Sequence, residues 1–384
     1  MNIILRKVSR FIRPLAYLIG LLMPINDKKI VVSNFSGKGY GDNPKYIVNE
    51  LLKINANLEI IWLLQNEEDK SSLPKEVNYC LEKSFMSTYH LRTAKIWIDN
   101  CRKSFRYKRS EQFYLQTWHG FALKRIEQDV QENLSKGYVK GAIRDSKHID
   151  LIVSCSKFMT ELYRNSFWYD GKVLELGAPR NDVFVQKSDE IKRKVFKYFG
   201  IGNEKAVALY APTFRADKSL HAYSIDYEIL KKACKNKFGK EFVILVRLHP
   251  SISDKNLDIN FDGEQLINAN LYQDLQELLF VADVVVSDYS SLIFDFALSR
   301  KPCFLFATDI DSYRNDRNFY LDLFKLPFSV AETNEALQKN ILDFNDEIYK
   351  KSLEEFFDAV GMVMPGQASK KCAQLIWEII KNKN

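Results

Sequence analysis

From Lys29 onward the chain repeats one pattern: a short apolar run, a polar turn, then a stretch with helical spacing. The runs with strand character are Lys29–Ser33, Leu58–Leu64, Ala94–Asp99, Phe113–Thr117, Leu151–Ser154 and Val173–Leu176. Helical patterns fall between several of them, as at Lys45–Leu52 and Ser156–Asn165. Strands that alternate with helices predict a mostly parallel sheet covered on both faces. A second series begins near residue 205, with strands at Ala206–Tyr210, Phe242–Arg247, Val284–Ser287 and Pro302–Phe306. Its helices are expected at Asp226–Cys234, Leu271–Phe280, Ser290–Ala297 and Ala368–Lys381. The charged helical stretch Gln186–Glu204 separates the two series.

The expected fold class is therefore α/β, with two doubly wound Rossmann-like domains. Ligands would lie outside the carboxyl ends of the strands, in a cleft where the domains meet. A length of 384 residues suits two domains. The expected divisions are 1–27 as an amphipathic segment, 28–190 as the first domain and 191–384 as the second, with the last helix free to pack back on the first domain. Apolar residues at 46% and charged residues at 27% exclude a disordered chain and a disulfide-dense mini-domain. The six cysteines show no C-x-x-C pair, so zinc-finger and thioredoxin spacings are absent and reduced core thiols are expected. A net charge of +7 suits an anionic partner, a phosphate-bearing substrate or an acidic membrane surface. No nucleic-acid recognition motif accompanies it.

At the N-terminus, Ile4, Val8, Phe11, Leu15, Leu18 and Leu22 recur at helical spacing, with Arg6, Arg10 and Arg13 on the opposite face. Such a helix lies on an anionic bilayer. Pro14–Ile25 is too short to span one, which takes about 20 apolar residues. A helix docked on the protein's own surface and a signal peptide also fit, but no A-x-A-like cleavage site follows. Pro14 and Gly20 are expected to bend or split the helix. The basic run Arg102, Lys103, Arg106, Lys108 and Arg109 reads equally as a lipid-phosphate contact or a solvated loop.

Three segments set reactive residues directly after apolar strands. In Gln116-Thr117-Trp118-His119-Gly120, the glycine permits a sharp turn and His119 sits at a strand's carboxyl end, where a general base is useful. A buried histidine satisfied by a backbone carbonyl is the plainer reading. In Arg247-Leu248-His249-Pro250, strand alternation puts the arginine and histidine on one face, suited to a phosphate. In Ser287-Asp288-Tyr289-Ser290-Ser291, Asp288 or Ser290 can cap the next helix, whose free N–H groups attract anions. Asp295 lies about one turn later, where acidic residues of nucleotide-binding folds reach a ribose. Smaller strings close other strands: Ala211-Pro212-Thr213-Phe214-Arg215 and Gly177-Ala178-Pro179-Arg180-Asn181-Asp182. The Gly-rich loop Phe35–Pro44 carries Ser36, Lys38 and Asn43 without P-loop order.

Together and in this order, these strings resemble the CDP-glycerol glycerophosphotransferase family, the teichoic-acid primases and polymerases and their capsule-making relatives. The matching pieces are Phe35–Lys38 with Asp42–Tyr46, Trp118-His119-Gly120 with Leu123-Lys124, Gly177-x-Pro179–Asp182, Ala211-Pro212-Thr213-x-Arg215, Arg247-x-His249-Pro250, Asp288–Ser291 with Asp295-Phe296, and Tyr313-Arg314 with Phe319, Tyr320 and Asp322. The resemblance runs over roughly residues 5 to 375. It implies a GT-B fold, with an acceptor domain followed by a CDP-donor domain, held at the cytoplasmic face of a bacterial membrane as a peripheral protein. The implied reaction moves glycerol phosphate, or a polyol phosphate such as ribitol phosphate, from a CDP-polyol to a lipid-linked acceptor and releases CMP. His119 is then the base. Arg247, His249, Ser290 and Ser291 hold donor phosphates, and Pro212, Thr213, Arg215, Asp288 and Asp295 hold the nucleotide. Ser36, Lys38, Asn43, Gly120, Lys124 and Arg180 face the acceptor. No clustered carboxylates call for a metal, although Mg²⁺ on the diphosphate is compatible. Two departures stand out: Phe121-Ala122 replaces the usual Thr-Pro after Trp-His-Gly, and Phe214 replaces a tryptophan. The alternatives are a GT-B glycosyltransferase using a nucleotide sugar and a non-catalytic nucleotide- or lipid-binding module.

Overall fold

The computed structural model describes residues 14–55, 57–103, 107–185, 189–213, 215, 223–248, 259–310 and 319–382. They fall into two units. One holds the residues up to His119, Glu127–Asp182 and the C-terminal segment from Val363. The other holds Gly120–Ile126 and Val183–Met362.

The first unit is built on a seven-stranded sheet of β1 (Asn26–Ser33), β2 (Glu59–Leu64), β3 (Asn78–Leu81), β4 (Ala94–Asp99), β5 (Phe113–Gln116), β6 (Leu151–Ser154) and β7 (Lys172–Glu175). Their order is β3-β2-β1-β4-β5-β6-β7, and every pair is parallel. The second unit has a six-stranded sheet of β8 (Ala206–Tyr210), β9 (Phe242–Val246), β10 (Leu266–Asn268), β11 (Val284–Ser287), β12 (Cys303–Phe306) and β13 (Ser329–Ala331). Its order is β10-β9-β8-β11-β12-β13, again parallel throughout. In each sheet the winding reverses once, between β1 and β4 and between β8 and β11. The loops leaving those strands diverge there and leave room for a ligand.

Central strands are buried on both faces, which is why they read as continuous apolar runs. Ile30, Val32, Ile60, Trp62, Ile96 and Ile98 pack with Ile47 and Leu51 of the helix Asp42–Ile54 and with Cys372, Ala373 and Ile376 of the helix Ala368–Lys381. Burying each of the larger aliphatic side chains is worth about 1.5–3 kcal/mol. The second core joins Ala208, Tyr210, Ile244, Val246, Val286 and Phe304 to Leu230, Ala233 and Cys234 of the helix Tyr227–Phe238. Three strands were not expected from the sequence: β3, β10 and β13. All three are sheet edges, short and partly exposed.

The helix Ala368–Lys381 is fastened by Asp182. Its carboxylate accepts from the N–H groups of Gly366 (2.6 Å), Ala368 (3.2 Å) and Ser369 (2.8 Å) and from the Ser369 hydroxyl (2.6 Å). Gly177 opens the same string at a φ of 92°, where a side chain would meet Ala368.

Residues 14–22 form a helix. The expected basic face, Arg6 to Arg13, lies outside the described residues. Gly20 does not split this helix; a Cβ there would sit 2.5 Å from the Arg92 Cβ, so glycine permits close docking. Tyr17 lies against Tyr107 and under the Arg92 guanidinium, at 4.9 and 4.6 Å. Arg109 donates to the Met23 carbonyl at 2.8 Å. Leu15, Leu18 and Leu22 face outward, 54, 56 and 85% exposed. No helix among the described residues is long and apolar enough to cross a membrane.

The basic run is corrected by the structure at two positions. Lys103 is buried against Asp99 at 2.5 Å, and Arg102, about 10% exposed, pairs with Glu127 at 2.8 Å. Neither is a solvated or lipid-facing charge. Arg106 lies outside the described residues. None of the six cysteines is in a disulfide, and five are buried. Burial pushes the Cys80, Cys101 and Cys234 thiols up to about 12, which removes them as nucleophiles at neutral pH.

Candidate active site

In the first unit, β1, β4 and β5 are neighbours, so the residues after their carboxyl ends meet. Asn100 follows β4, the loop from Asn34 follows β1, and Thr117, Trp118 and His119 follow β5. His119 Nδ1 lies 2.6 Å from the Asn100 carbonyl oxygen. A carbonyl only accepts, so Nδ1 carries the hydrogen and the neutral ring keeps its lone pair on Nε2. The plainer sequence reading thus describes one nitrogen of this ring, and the base reading needs only the other. Burial lowers the His119 pKa below its ordinary 6.5, which keeps the imidazole neutral at pH 7.

The backbone that presents the ring is unusual. Trp118 has a φ of 49°, a region bulky residues rarely occupy. It is held there from both sides. Its N–H donates to the Gln116 side chain (2.9 Å) and its carbonyl accepts from the Asn43 side chain (3.0 Å). The Trp118 ring stacks on His119 at 4.2 Å and 27°, and Phe35 adds a tilted contact at 5.1 Å. Strain of this kind persists where surroundings over-determine it, which happens often at functional sites. Asn43 also accepts from the Arg180 N–H (3.0 Å), and Arg180 pairs with Asp42. Asn43 and Arg180 therefore brace the histidine turn. Ser36 contacts the Cys101 sulfur at 3.4 Å, and Lys38 is exposed.

Gly120 and Lys124 belong to the second unit, in the segment 120–126. Phe121 packs on Phe294 at 4.5 Å, Lys124 bridges to Phe319, and Tyr320 donates its N–H to the Leu123 carbonyl at 2.9 Å. The departure Phe121 is thus core filling beside Phe294. Of the string Tyr313–Asp322, Tyr313 and Arg314 lie outside the described residues, and Phe319 and Tyr320 hold this segment.

At the reversal point of the second sheet, Asp288 follows β11 and Thr213 and Arg215 follow β8. Asp288 does not cap the next helix, as had been expected. Its carboxylate accepts the Thr213 N–H at 2.9 Å and pairs with Arg215 at 2.9 Å. Ser290 does not cap it either: the cap position is Ser291, with no side-chain bond, and the helix Leu292–Ala297 is a short one. Arg215 places its N–H donors on Asp309 (2.6 and 3.0 Å), Asp288, and the Thr213 carbonyl and hydroxyl (3.0 and 2.6 Å), above the Tyr289 ring at 4.8 Å. A guanidinium has five such donors, and this arrangement engages them all. Arg247 donates from Nη1 to the carbonyls of Ala269 and Asn270 at 2.8 and 2.9 Å and to that of Tyr272. His249 lies outside the described residues. Asp295 is buried and accepts from Gln276 at 3.0 Å. Pro212 is buried in the loop after β8, while Ser290 and Ser291 are half-buried.

Sequence reasoning passed over Asp99, Asn100 and Asp309. The signal for the first two was present, since polar residues end the apolar strand Ala94–Asp99, but the strand order that makes their position matter is not written in the sequence. Among the described residues, no three His, Cys, Asp or Glu side chains are grouped to hold a metal ion.

Comparison with known proteins joins these observations. The family described as CDP-Glycerol:Poly(glycerophosphate) glycerophosphotransferase matches residues 15–378. A teichoic acid poly(glycerol phosphate) polymerase of Staphylococcus epidermidis is 32% identical over all of this chain, which spans 55% of that relative's length. A second polymerase of that description, from Bacillus spizizenii, is 29% identical, with 93% of each chain covered. Among solved structures, a variant of the wall teichoic acid polymerase TagF soaked with CDPG superposes with a TM-score of 0.85 at 30% identity, covering 99% of this chain and 95% of that one. The fold is accordingly GT-B-like, with its two doubly wound sheets. Matched along nearly its whole length, the chain belongs to the CDP-glycerol glycerophosphotransferase family.

Proposed function

We propose that the protein transfers glycerol phosphate, or a related polyol phosphate such as ribitol phosphate, from a CDP-polyol to a hydroxyl of a lipid-linked teichoic acid or capsule acceptor. His119 Nε2 takes the proton of the acceptor hydroxyl as its oxygen attacks the β-phosphorus. The bond from that phosphorus to the bridging oxygen breaks, and CMP leaves with the electron pair. Arg247, His249 and the N–H groups near Ser290 and Ser291 meet the donor phosphates, while Pro212, Thr213, Arg215, Asp288 and Asp295 form the nucleotide side. Ser36, Lys38, Asn43, Gly120, Lys124 and Arg180 serve the acceptor side. The protein contributes positioning and preorganised charge. The observation that carries this reading is the fixed ring of His119, with Nδ1 committed to Asn100 and Nε2 left as the basic atom, in a chain of this family.

A donor panel tests it. CDP-glycerol, CDP-ribitol and common nucleotide sugars are supplied with a membrane extract, and CMP release is followed. Release with a CDP-polyol alone supports the proposal. Release of nucleotide from a sugar donor would assign the chain to glycosyl transfer instead.

The pH profile follows from His119. Protonation of a base abolishes its action, and burial holds this pKa below 6.5. The acid limb of kcat/KM is therefore expected below pH 6.5, with a plateau through neutrality. A limb centred above that value would contradict the assignment.

The proposed location is the cytoplasmic face of the membrane, reached by the outward leucines of residues 14–22. Replacing Leu18 and Leu22 together by glutamate is expected to weaken sedimentation with anionic vesicles roughly tenfold or more, since each leucine buries about 1.5–3 kcal/mol of apolar surface. Unchanged sedimentation would return the segment to a purely docked helix.

A further inference from the structure

We propose that Asn100 is a positioning residue that couples the Gly-rich loop after β1 to the tautomer of His119. This rests on the reading of His119 as the base. Asn100 is fully buried at the end of β4, and each of its polar groups has a distinct task. Its carbonyl takes the His119 Nδ1 hydrogen at 2.6 Å. Its side-chain oxygen accepts the Phe35 N–H at 2.8 Å, and its side-chain nitrogen donates to the Asn34 side chain at 2.9 Å. Its own N–H donates to the Asp99 carboxylate at 2.9 Å.

The loop on the other side of Asn100 needs such support. Phe35 and Ser36 have φ values of 43° and 56°, and neither is glycine. Non-glycine residues hold that conformation only when neighbours fix it. Asn34 passes the tie onward, donating to the Lys38 carbonyl at 2.8 Å.

Asp99 keeps the turn itself in place. One carboxylate oxygen collects the N–H groups of Asn100 and Cys101, at 2.9 and 3.2 Å, and the other pairs with the buried Lys103. The next residue, Arg102, holds Glu127 through Nε and Nη2 at 3.1 and 2.8 Å. Within the first unit, His119 and Glu127 are thus tied to one turn: His119 to Asn100, and Glu127 to Arg102. Movement of the turn would rotate the His119 ring or free its tautomer. A water in place of the Asn100 carbonyl would not fix the tautomer, because it could donate as readily as accept.

The test uses the full chain with histidine ring nitrogens labelled, as wild type, Asn100→Ala and Asn100→Asp. Aspartate keeps an acceptor for the Phe35 N–H but offers Asn34 no donor. Long-range nitrogen–proton spectra read the tautomer directly, and kcat and KM for CDP-glycerol are measured beside them. Wild type should show His119 as the single Nδ1–H form above its pKa. Asn100→Ala keeps the backbone carbonyl but removes the side-chain ties to Phe35 and Asn34, so the carbonyl should shift, the tautomers mix and kcat fall roughly 10- to 100-fold, the scale set by partners that orient a functional histidine, with KM little changed. Asn100→Asp should recover part of both readings. A wild-type tautomer and kcat in Asn100→Ala would overturn the proposal. Should that variant not fold, a wild-type tautomer and kcat in Asn100→Asp would overturn it equally. If His119→Ala keeps its turnover, the base reading fails, while the Asn100 spectra still decide the coupling.

Discussion

Replacing His119 by alanine is expected to lower kcat roughly 10²- to 10⁴-fold, the usual contribution of a positioned general base, while leaving CDP-glycerol affinity largely intact. The loss should appear at every pH on the plateau, since alanine has no group to take the acceptor's proton. His119→Asn is a sharper variant. It keeps a polar group on the turn beside Trp118 but has no basic nitrogen. Thermal unfolding should move far less than turnover in either, because the side chain's loss removes one hydrogen bond to the backbone and the contacts with Trp118 and Phe35. Equal loss of binding and turnover would instead make His119 part of the donor site.

A second large effect is expected on stability. Arg215 is buried and holds Asp288 and Asp309 at once, and the Asp288 side chain is almost entirely buried too. Arg215→Met fills similar space but strands two carboxylates without their cation. Removing one partner of a buried pair costs about 3–5 kcal/mol. The variant should therefore unfold at markedly lower urea concentration. CDP-glycerol binding should weaken as a consequence, since Arg215 is what fixes Thr213 and Asp288 in the loops after β8 and β11. If Arg215→Met keeps wild-type stability yet loses CDP-glycerol binding, the guanidinium acts mainly on the ligand and the network account is wrong. Asp309→Asn should be milder, because Asp288 still neutralises the arginine.

How much of this was legible in the sequence depended on burial. The central strands β1, β2, β4, β8, β9, β11 and β12 lie under helices on both faces, and they read as uninterrupted apolar runs. The edges β3, β10 and β13 are short and half-exposed, so no run marks them. The position of His119 at a strand's carboxyl end was legible, because a glycine after an apolar strand marks a turn; its proposed role as the base came from the ordered set of strings and not from the histidine alone. Asp288 was legible as a special position, but its role was not. A carboxylate after a strand looks like a helix cap until the structure shows Arg215 and Thr213 arriving from the neighbouring strand β8. Asn100 was missed for the same reason. Its importance comes from the adjacency of β1, β4 and β5, which are far apart in the chain. Arg102 and Lys103 misled in the opposite direction. Their carboxylate partners Glu127 and Asp99 turn an apparently basic surface run into buried ion pairs.

The central claim is that a phosphorus–oxygen bond, and not a glycosidic bond, is made. The measurement that tests it most directly is mass analysis of the lipid acceptor after incubation with CDP-glycerol, with CMP quantified in the same reaction. Acceptor mass rising by whole glycerol phosphate units, one CMP released for each, is the result this account predicts. An acceptor that gains a sugar from a nucleotide sugar, and nothing from CDP-glycerol, would contradict it.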